Sequence, residues 1–298
     1  MAGWGRRKEH EIDGTTEGAK TDFQLVIWVH KGAGADGDDD IYCGGNCRDD
    51  FGDIRFTEDD GITPMKYNME QVESGVQAKF RFKMPAIPAD PASKSMYVYY
   101  DKADETDDSD PANVYLWYNP CTSVAGWVRT RGAGTIAVVG THIFFDIDAN
   151  DTYWEHPDLP DGLGECKIRY RIYSHAPIAF YNGIGKGTGT AGRRQSALMD
   201  VGNGGYYDND ELTGGDALGW TDTTWHEWEC TFKEGANGCK IYLDDVFKSD
   251  CNIVSLPNDG THFKFHIVWA DMSVDEICVM QFCDPEPSHG IWGGEETP

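Results

Sequence analysis

The chain has 298 residues, of which 40% are hydrophobic and 12% aromatic, so wholesale disorder is excluded and the length allows two domains with ordinary cores. Its 51 acidic residues against 25 basic ones give a net charge of −26. This charge argues against nucleic-acid binding, which needs clustered Lys and Arg, and suits multivalent cations instead.

The sequence carries no targeting or membrane-spanning segment that we recognise. No stretch approaches the ~20 apolar residues of a membrane span. The basic start, residues 1–8, lacks an apolar segment behind it, so it is no secretory signal. A place on a virion surface or in an extracellular assembly would therefore need another route of export, such as virion assembly followed by lysis, or a signal that has been cut off.

The composition favours an all-β fold. Glycine is frequent (35 residues), aromatic residues are abundant, and the apolar runs are short and interrupted by Gly, Pro, Asn and Asp. Many strands joined by turns produce such a pattern. Residues 4–12 are predicted to form the first strand, and residues 23–30 form a strand apolar enough to be central.

Two further segments alternate between polar and apolar side chains, which is typical of strands with one face on the core and one in water. In residues 53–57 the apolar members are Ile54 and Phe56. The polar members of both segments, all expected to face water, are Asp53, Arg55, Thr57, Gln77, Lys79, Arg81 and Lys83.

Two acidic segments have the alternate oxygen ligands of a calcium loop. The candidate ligands are Asp36, Asp38 and Asp40 in the first segment and Asp146, Asp148 and Asn150 in the second. The later Gly and Glu of an EF-hand loop are missing from the first, and Asp151 replaces the usual turn Gly in the second. A solvated acidic loop and a polar strand end are therefore the alternatives to calcium as a cofactor.

Nine cysteines are an odd number, so at least one is unpaired within the chain. Cys43 and Cys47 lie close together in a Gly-rich loop, which permits a small disulfide loop. The remaining cysteines show no CxxC spacing, so structural thiols or disulfides are favoured over zinc. The pairing is left open.

Three segments carry a family resemblance. Residues 4–8, in which Trp4 precedes basic residues, residues 50–56 before an Asp-Gly turn, and residues 97–100 together resemble the domain-of-unknown-function 2341 family. The resemblance spans roughly residues 1–102. It implies a β-rich module, often placed before a concanavalin-like or laminin-G-like β-sandwich in surface and viral proteins, and it brings no catalytic residue. Asp-Lys replaces the usual Gly-Asn after the double tyrosine, so the exit turn is left open.

The second half fits such a partner. Residues 134–145 predict a hairpin around Gly140, and residues 166–173 predict a strand with basic side chains alternating outward. Residues 225–232 and 240–245 resemble the hairpin series of laminin-G-like domains. We therefore expect two tandem antiparallel β-sandwich (jelly-roll) domains. Their bounds are residues 1–118, ending in an acidic linker, and 119–283, followed by an acidic tail at 284–298.

Catalytic residues are sought first among carboxylates, because many concanavalin-like sandwiches cleave polysaccharides. The Glu-x-Asp-x-Glu series that such enzymes place on one strand does not occur. The nearest pair, Glu227 and Glu229, has the opposite phase to the apolar Trp228 and Cys230, so it is predicted to lie on the solvent side. His226 has the apolar phase and is read as a hydrogen-bonded core residue. The sequence therefore predicts no catalytic site.

Several aromatic residues stand beside Asp, Asn or Gly in predicted loops or at strand ends. Aromatic faces next to short polar side chains suit carbohydrate stacking or a protein interface, and core packing is the alternative for each. These candidate ligand-binding residues are Trp154, Tyr206, Tyr207, Trp220 and Trp225.

Together these features predict a non-catalytic surface module of a virion or extracellular assembly. The expected partners are a glycan and further copies or other subunits, with no nucleic acid and no membrane span. Two alternatives remain: a polysaccharide-degrading enzyme, glycoside hydrolase or lyase, and a purely structural filament or capsid subunit. An enzyme predicts paired carboxylates on one sheet face of the second domain, whereas a lectin predicts exposed aromatic side chains there.

Overall fold

The computed structural model describes the chain except residues 2, 149–151, 161–162, 176–178, 185–195, 201–205, 209–210, 215–222, 254–261 and 268–270. The described part is built of β-strands and one four-residue helix, which confirms the all-β class. Contacts divide it into two compact units, residues 1–115 with 283–298, and residues 116–282.

The elements follow one another along the chain with short connections. They are β1 (Arg6–Asp13), β2 (Lys20–His30), β3 (Asp40–Tyr42), β4 (Arg55–Glu58), β5 (Tyr67–Glu73), β6 (Gln77–Ile87), β7 (Ser93–Tyr100), α1 (Pro111–Val114), β8 (Trp117–Asn119), β9 (Val128–Arg131), β10 (Thr135–Val139), β11 (His142–Asp146), β12 (Thr152–His156), β13 (Cys166–Ser174), β14 (Ala179–Ile184), β15 (Ser196–Asp200), β16 (Tyr206–Asp208), β17 (Glu211–Gly214), β18 (Trp225–Phe232), β19 (Gly235–Leu243), β20 (Val246–Ile253), β21 (Phe263–Ile267), β22 (Met272–Gln281) and β23 (Ser288–Glu296).

Each unit contains two sheets that enclose one apolar core. The first unit has the strand orders β23-β1-β7-β4 and β3-β2-β6-β5, antiparallel except for the parallel pair β2 and β3. The second unit has an eight-stranded sheet, β10-β11-β22-β13-β18-β19-β20 with β8 beside β22, and a seven-stranded sheet, β17-β16-β15-β14-β21-β12-β9. In both units the buried apolar residues come from both sheets, so the arrangement is that of a sandwich.

The core of the first unit is aromatic where its two sheets meet. Phe56 of β4 packs on Phe80 and Phe82 of β6, with ring centroids 5.6 and 5.2 Å apart. Ile54, Phe56 and the apolar phase of β6 are fully buried, as the alternating patterns predict.

The prediction that the polar faces of these strands lie in water is wrong. Asp53 and Thr57 are buried, and Arg55 is only 7% exposed. Residues 101–110, expected to be an acidic linker, cover this face instead: the backbone N–H groups of Asp101 and Lys102 donate to the Asp53 carboxylate at 3.1 and 3.3 Å. Arg55 in turn donates to the Thr106 carbonyl and the Glu105 carboxylate.

The polar face of β6 is covered as well. Arg81 is 4% exposed and its Nε lies 2.6 Å from Oε1 of Glu70, which also accepts the Tyr115 hydroxyl at 2.6 Å. Lys79 is buried with its ammonium 5.5 Å from the centroid of the Trp28 ring. A strand pattern with period two reports that the two faces differ, and both can be buried when each buried charge finds a partner.

The acidic tail expected after residue 283 is also replaced by structure. Residues 288–296 form β23, which pairs antiparallel with β1 at the edge of the first sheet. The His10 ring stacks on Trp292 with centroids 3.7 Å apart, and its Nε2 lies 2.8 Å from Nδ1 of His289. The Trp292 indole N–H donates to the Asp38 carbonyl at 3.0 Å. Ring stacking and hydrogen bonding thus fasten a segment that composition alone describes as acidic.

The buried pair of Arg81 and Glu70 yields a test of the covered polar face. We expect Arg81→Met to lower the free energy of unfolding by about 3–5 kcal/mol, because it leaves the Glu70 carboxylate buried without its cation. Lys83→Met on the same strand, where the side chain is half-buried, is the control and should cost less than about 1 kcal/mol. Equal effects in urea unfolding would contradict the account.

The imidazole pair makes the β1 and β23 pairing sensitive to pH. Burial, with the neighbouring His289, lowers the pKa of His10 from 6.5 to about 3. Burial also lowers the pKa of His289, against an opposing effect of Asp39 and Asp38. The unfolded chain therefore binds protons below pH 6.5 that the folded one does not, so stability is complete above pH 6.5 and falls as the pH drops from there toward 3.

Between pH 7 and pH 5 His10 alone should cost the first unit about 2 kcal/mol. Native-state hydrogen exchange of the β1 and β23 amides at the two pH values measures this loss. His10→Phe keeps a ring against Trp292 and removes the titrating group, so its loss should be smaller. The idea fails if the variant and the original chain lose the same stability.

Candidate functional site

Four adjacent strands of the eight-stranded sheet bring aromatic residues together on the face that points away from the core. In the register of the sheet, Phe144 of β11 lies opposite Ser273 of β22, Ser273 opposite Tyr173 of β13, and Tyr173 opposite Trp225 of β18. The flanking residues on these strands, such as Ile172, are buried in the core. Because successive side chains alternate between faces, this row lies on the outer face.

A second row on the same face is polar. Arg171 of β13 lies opposite Asp275 of β22 on one side and opposite Glu227 of β18 on the other. Arg171 and Tyr173 are two residues apart, as are Glu227 and Trp225, so the two rows are neighbours. We call the surface formed by the two rows, with His142 and His175, the outer-face cluster.

The rings of the outer-face cluster contact one another edge to face or tilted. The centroid of Trp225 lies 5.7 Å from that of Tyr173 and 5.2 Å from that of His142. His175 lies 4.8 Å from Tyr173 and 5.1 Å from Phe144. Such contacts are worth about 0.5–1.5 kcal/mol each beyond burial, so the rings support one another while His175 is exposed and the other four are half-buried.

The polar groups of the outer-face cluster are held in fixed positions. The guanidinium of Arg171 lies 5.2 Å from the Trp225 ring centroid, and its Nη1 lies 3.5 Å from Oδ2 of Asp275. Ser273 Oγ lies 3.2 Å from Nε2 of His175. Burial raises the pKa of Asp275, and the charges of Arg171 and His142 offset part of that effect.

The charges of the outer-face cluster balance locally. Arg171 faces Asp275, and Arg169 Nη1 lies 3.0 Å from Oε2 of Glu227. Aromatic faces beside planar hydrogen-bonding groups can stack on the apolar face of a sugar ring while hydroxyls bind the carboxylate, guanidinium and imidazole. A cluster with balanced charges provides no net attraction for an anionic ligand.

The predicted ligand-binding residues fall at different places. Trp225 belongs to the outer-face cluster. Trp154 is 5% exposed and packs in the core against Phe145, so its expected role as a surface aromatic is wrong. Tyr206 and Tyr207 lie in β16 of the seven-stranded sheet, and Trp220 lies outside the described residues.

The sequence analysis missed the other rings of the outer-face cluster, which are His142, Phe144, Tyr173 and His175. The one available signal was the outward phase of residues 166–173, which was read only for its basic side chains. That phase also includes Tyr173. The neighbours across the sheet come from β11 and β22, and the sequence does not reveal that register.

Glu227 and Glu229 lie on the outer face, as predicted, but basic neighbours half-bury them. Lys167 Nζ lies 4.0 Å from Oε1 of Glu229. His226 has the opposite phase, and its Nδ1 lies 2.7 Å from Oδ2 of Asp244. The histidine and the two glutamates therefore do not share one face of the sheet.

The candidate calcium ligands are engaged by protein groups. Asp36 accepts from Lys8 Nζ at 2.7 Å and from the Tyr42 N–H at 2.7 Å, and Asp40 Oδ1 lies 2.6 Å from Nε2 of His30. Asp38 and Asp148 are exposed, Asp146 is half-buried, and Asn150 lies outside the described residues. Among the side chains described, no three His, Cys, Asp or Glu form a metal-binding group. Calcium binding stays a prediction.

The first unit has a polar cleft of about 370 Å³ beside Trp4. Arg55 and Lys102 lie 5.6 and 5.3 Å from the Trp4 ring centroid. Both cations also pair with Glu105, at 3.2 and 2.6 Å. The charges lining this cleft are therefore partly neutralised from within.

The cysteines for which side chains are described are all free and buried: Cys43, Cys47, Cys121, Cys166, Cys230, Cys239, Cys278 and Cys283. Burial raises the pKa of Cys166 to about 12, as expected for a thiol in apolar surroundings. No helix in the described part of the chain is long and apolar enough to cross a membrane.

Comparison with solved structures finds several distant likenesses. One is the carbohydrate recognition domain of Emp47p, at 8% identity and a TM-score of 0.41, covering 56% of this chain and 96% of that one. Another is the carbohydrate-binding module CBM66 from Bacillus subtilis, at 11% and 0.37, covering 52% and 96%. A third is a putative glycosyl hydrolase from Parabacteroides distasonis, at 10% and 0.38, covering 56% and 94%. TM-scores below 0.5 are too low to assign the fold from these likenesses.

Comparison with protein families gives one match. No curated protein matches the chain. Residues 50–130 match the family described as Domain of unknown function (DUF2341), which confirms the resemblance found in the first part of the sequence. The matched segment begins at the residues before β4 and ends within β9.

Proposed function

We propose that this protein is a non-catalytic module that binds neutral glycans on the outer-face cluster of its second unit. The observation that carries the proposal is the register row of Phe144, Ser273, Tyr173 and Trp225, which places three aromatic rings and a hydroxyl side by side on one sheet face. Rings held by one another and by the sheet lose little conformational freedom when a sugar stacks on them.

The preference for neutral sugars follows from charge at two scales. Locally, Arg171 is matched by Asp275 and Arg169 by Glu227. Over the whole chain a net charge of −26 repels polyanions at long range. A neutral chain of sugars avoids that repulsion and still offers hydroxyls to the polar row.

The setting of the proposal is a virion surface or an extracellular assembly, with the second unit as the concanavalin-like or laminin-G-like partner of the family module. Support comes from the family match at residues 50–130 and from the places where modules resembling that family occur. The same setting would let several copies act together on one glycan surface.

A polysaccharide-cleaving enzyme is the second candidate, because Asp275 and Glu227 share the outer face on either side of Arg171. Two strand spacings separate their backbones by about 9.6 Å, which is beyond the ~5–5.5 Å of retaining glycosidases and near the upper end of the inverting range. Glu227 is held by Arg169 at 3.0 Å, which favours a structural role for that carboxylate.

Affinity electrophoresis in gels containing galactomannan, xyloglucan, dextran or mixed-linkage β-glucan tests the glycan proposal. At least one of these neutral polysaccharides should retard the protein, and Trp225→Ala should weaken that binding about tenfold or more, since one stacked ring is lost. Alginate in the gel should not retard it.

Phe247→Ala is the matched control, because Phe247 is exposed and lies in the β19–β20 hairpin outside the outer-face cluster. It should bind as the original chain does. Retardation by alginate alone, or equal binding by Trp225→Ala, would contradict the proposal. Circular dichroism confirms that both variants fold.

The enzymatic alternative is separated by measuring reducing ends after incubation with whichever neutral polysaccharide binds. We expect none above the background, and we expect Asp275→Asn to change affinity without changing that result. Release of reducing ends that Asp275→Asn abolishes would replace the binding proposal with the enzymatic one.

A further inference from the structure

The second unit contains a long exposed segment without acidic residues. Residues 111–145 contain no Asp or Glu, although the chain has 51 of them in 298 residues. Residues 166–199 also lack them, but their strands β13 and β14 lie inside their sheets, each between two neighbours. The first segment instead supplies β9 and β10, each at the end of a sheet. Uncharged backbone edges thus occur in an otherwise strongly acidic chain.

The edge strand β10 has none of the features that usually protect such an edge. Its five residues are uncharged and contain no proline, and its pairing with β11 runs without a bulge from Thr135 to Val139. Val138 and Val139 are 40% and 48% exposed. In the described part of the chain, no strand covers the other side of β10.

The backbone of β10 is in position to accept another strand. The hairpin to β11 closes at Val139 and His142 around a two-residue turn that contains Gly140 with φ 64°. In an antiparallel ladder every second residue directs its N–H and C=O to the neighbouring strand. The intervening residues, Ile136 and Val138, direct theirs to the free edge.

We propose that β10 pairs antiparallel with β10 of a second copy of this chain, joining the two eight-stranded sheets about a twofold axis. The chain's own charge favours this occupant: two copies that each carry −26 can approach most readily where neither presents an acidic side chain. Pairing centred on Ala137 brings only Thr, Ile, Ala and Val of the two strands together. A strand that meets itself needs no complementary charge.

The pairing has a consequence for the glycan proposal, although it does not depend on it. A twofold axis perpendicular to the sheet keeps the outer faces of both copies on one side. Phe144 of each copy is one strand away from β10, so the two clusters begin about 14 Å apart, or three strand spacings. Neighbouring sites on one surface would raise the avidity for a repetitive glycan.

Sedimentation-velocity centrifugation of the full chain over a hundredfold range of concentration tests the pairing. We expect a monomer and dimer equilibrium that shifts toward dimer as salt is raised, because salt screens the repulsion between two acidic copies. Ala137→Lys/Val139→Lys places lysines on the paired strands and should raise the dissociation constant at least tenfold. Ala137→Lys alone serves if the double variant does not fold.

Val246→Lys is the control, because Val246 is 55% exposed in the hairpin between β19 and β20, away from β10. It should leave the dimer unchanged. A chain that is monomeric at every concentration overturns the proposal. So does a dimer that resists the β10 variants, or one that Val246→Lys dissociates equally. Glycan retardation of a monomeric chain would leave the proposed function standing, so the two proposals fail separately.

Discussion

The hydrogen-bond register of β13 with its two neighbours is the constraint on which the candidate site depends. Tyr173 meets Ser273 on one side and Trp225 on the other, and Arg171 meets Asp275 and Glu227 in the same way. A shift of one residue would turn Tyr173 into the core and Ile172 out to solvent, at a cost of about 2 kcal/mol for each large apolar side chain exposed. The core that fixes the register therefore also fixes the outer-face cluster.

The first unit handles its charge differently from a sandwich with wet outer faces. Asp53, Arg55 and Arg81 are buried because the acidic segment after β7 and the carboxylate of Glu70 supply partners for them. Burying such groups without partners would cost several kcal/mol each, so the covering segment and the covered strands depend on each other. What composition describes as a linker is part of the folded unit.

The sequence predicts the features that are local. Alternation over a few residues identifies β1, β2, β4, β6 and the hairpin of β10 and β11, and the turn residues mark where they end. It does not tell whether a polar face such as that of Arg55 is later covered, because the covering residues lie about fifty positions away. Trp225 could be named from its neighbours, whereas Phe144 and Tyr173 join it only through pairings between distant strands. Trp154 shows the converse error, since polar neighbours in sequence do not prevent a ring from packing in the core.

The central claim is that a neutral glycan contacts the outer-face cluster directly. The most direct measurement is fluorine NMR of the chain labelled with 5-fluorotryptophan, titrated with oligosaccharides of the neutral polysaccharide that binds. The Trp225 resonance, assigned by Trp225→Phe, should shift while that of the core residue Trp154 stays in place. A titration that shifts other tryptophans and leaves Trp225 unchanged would contradict the claim.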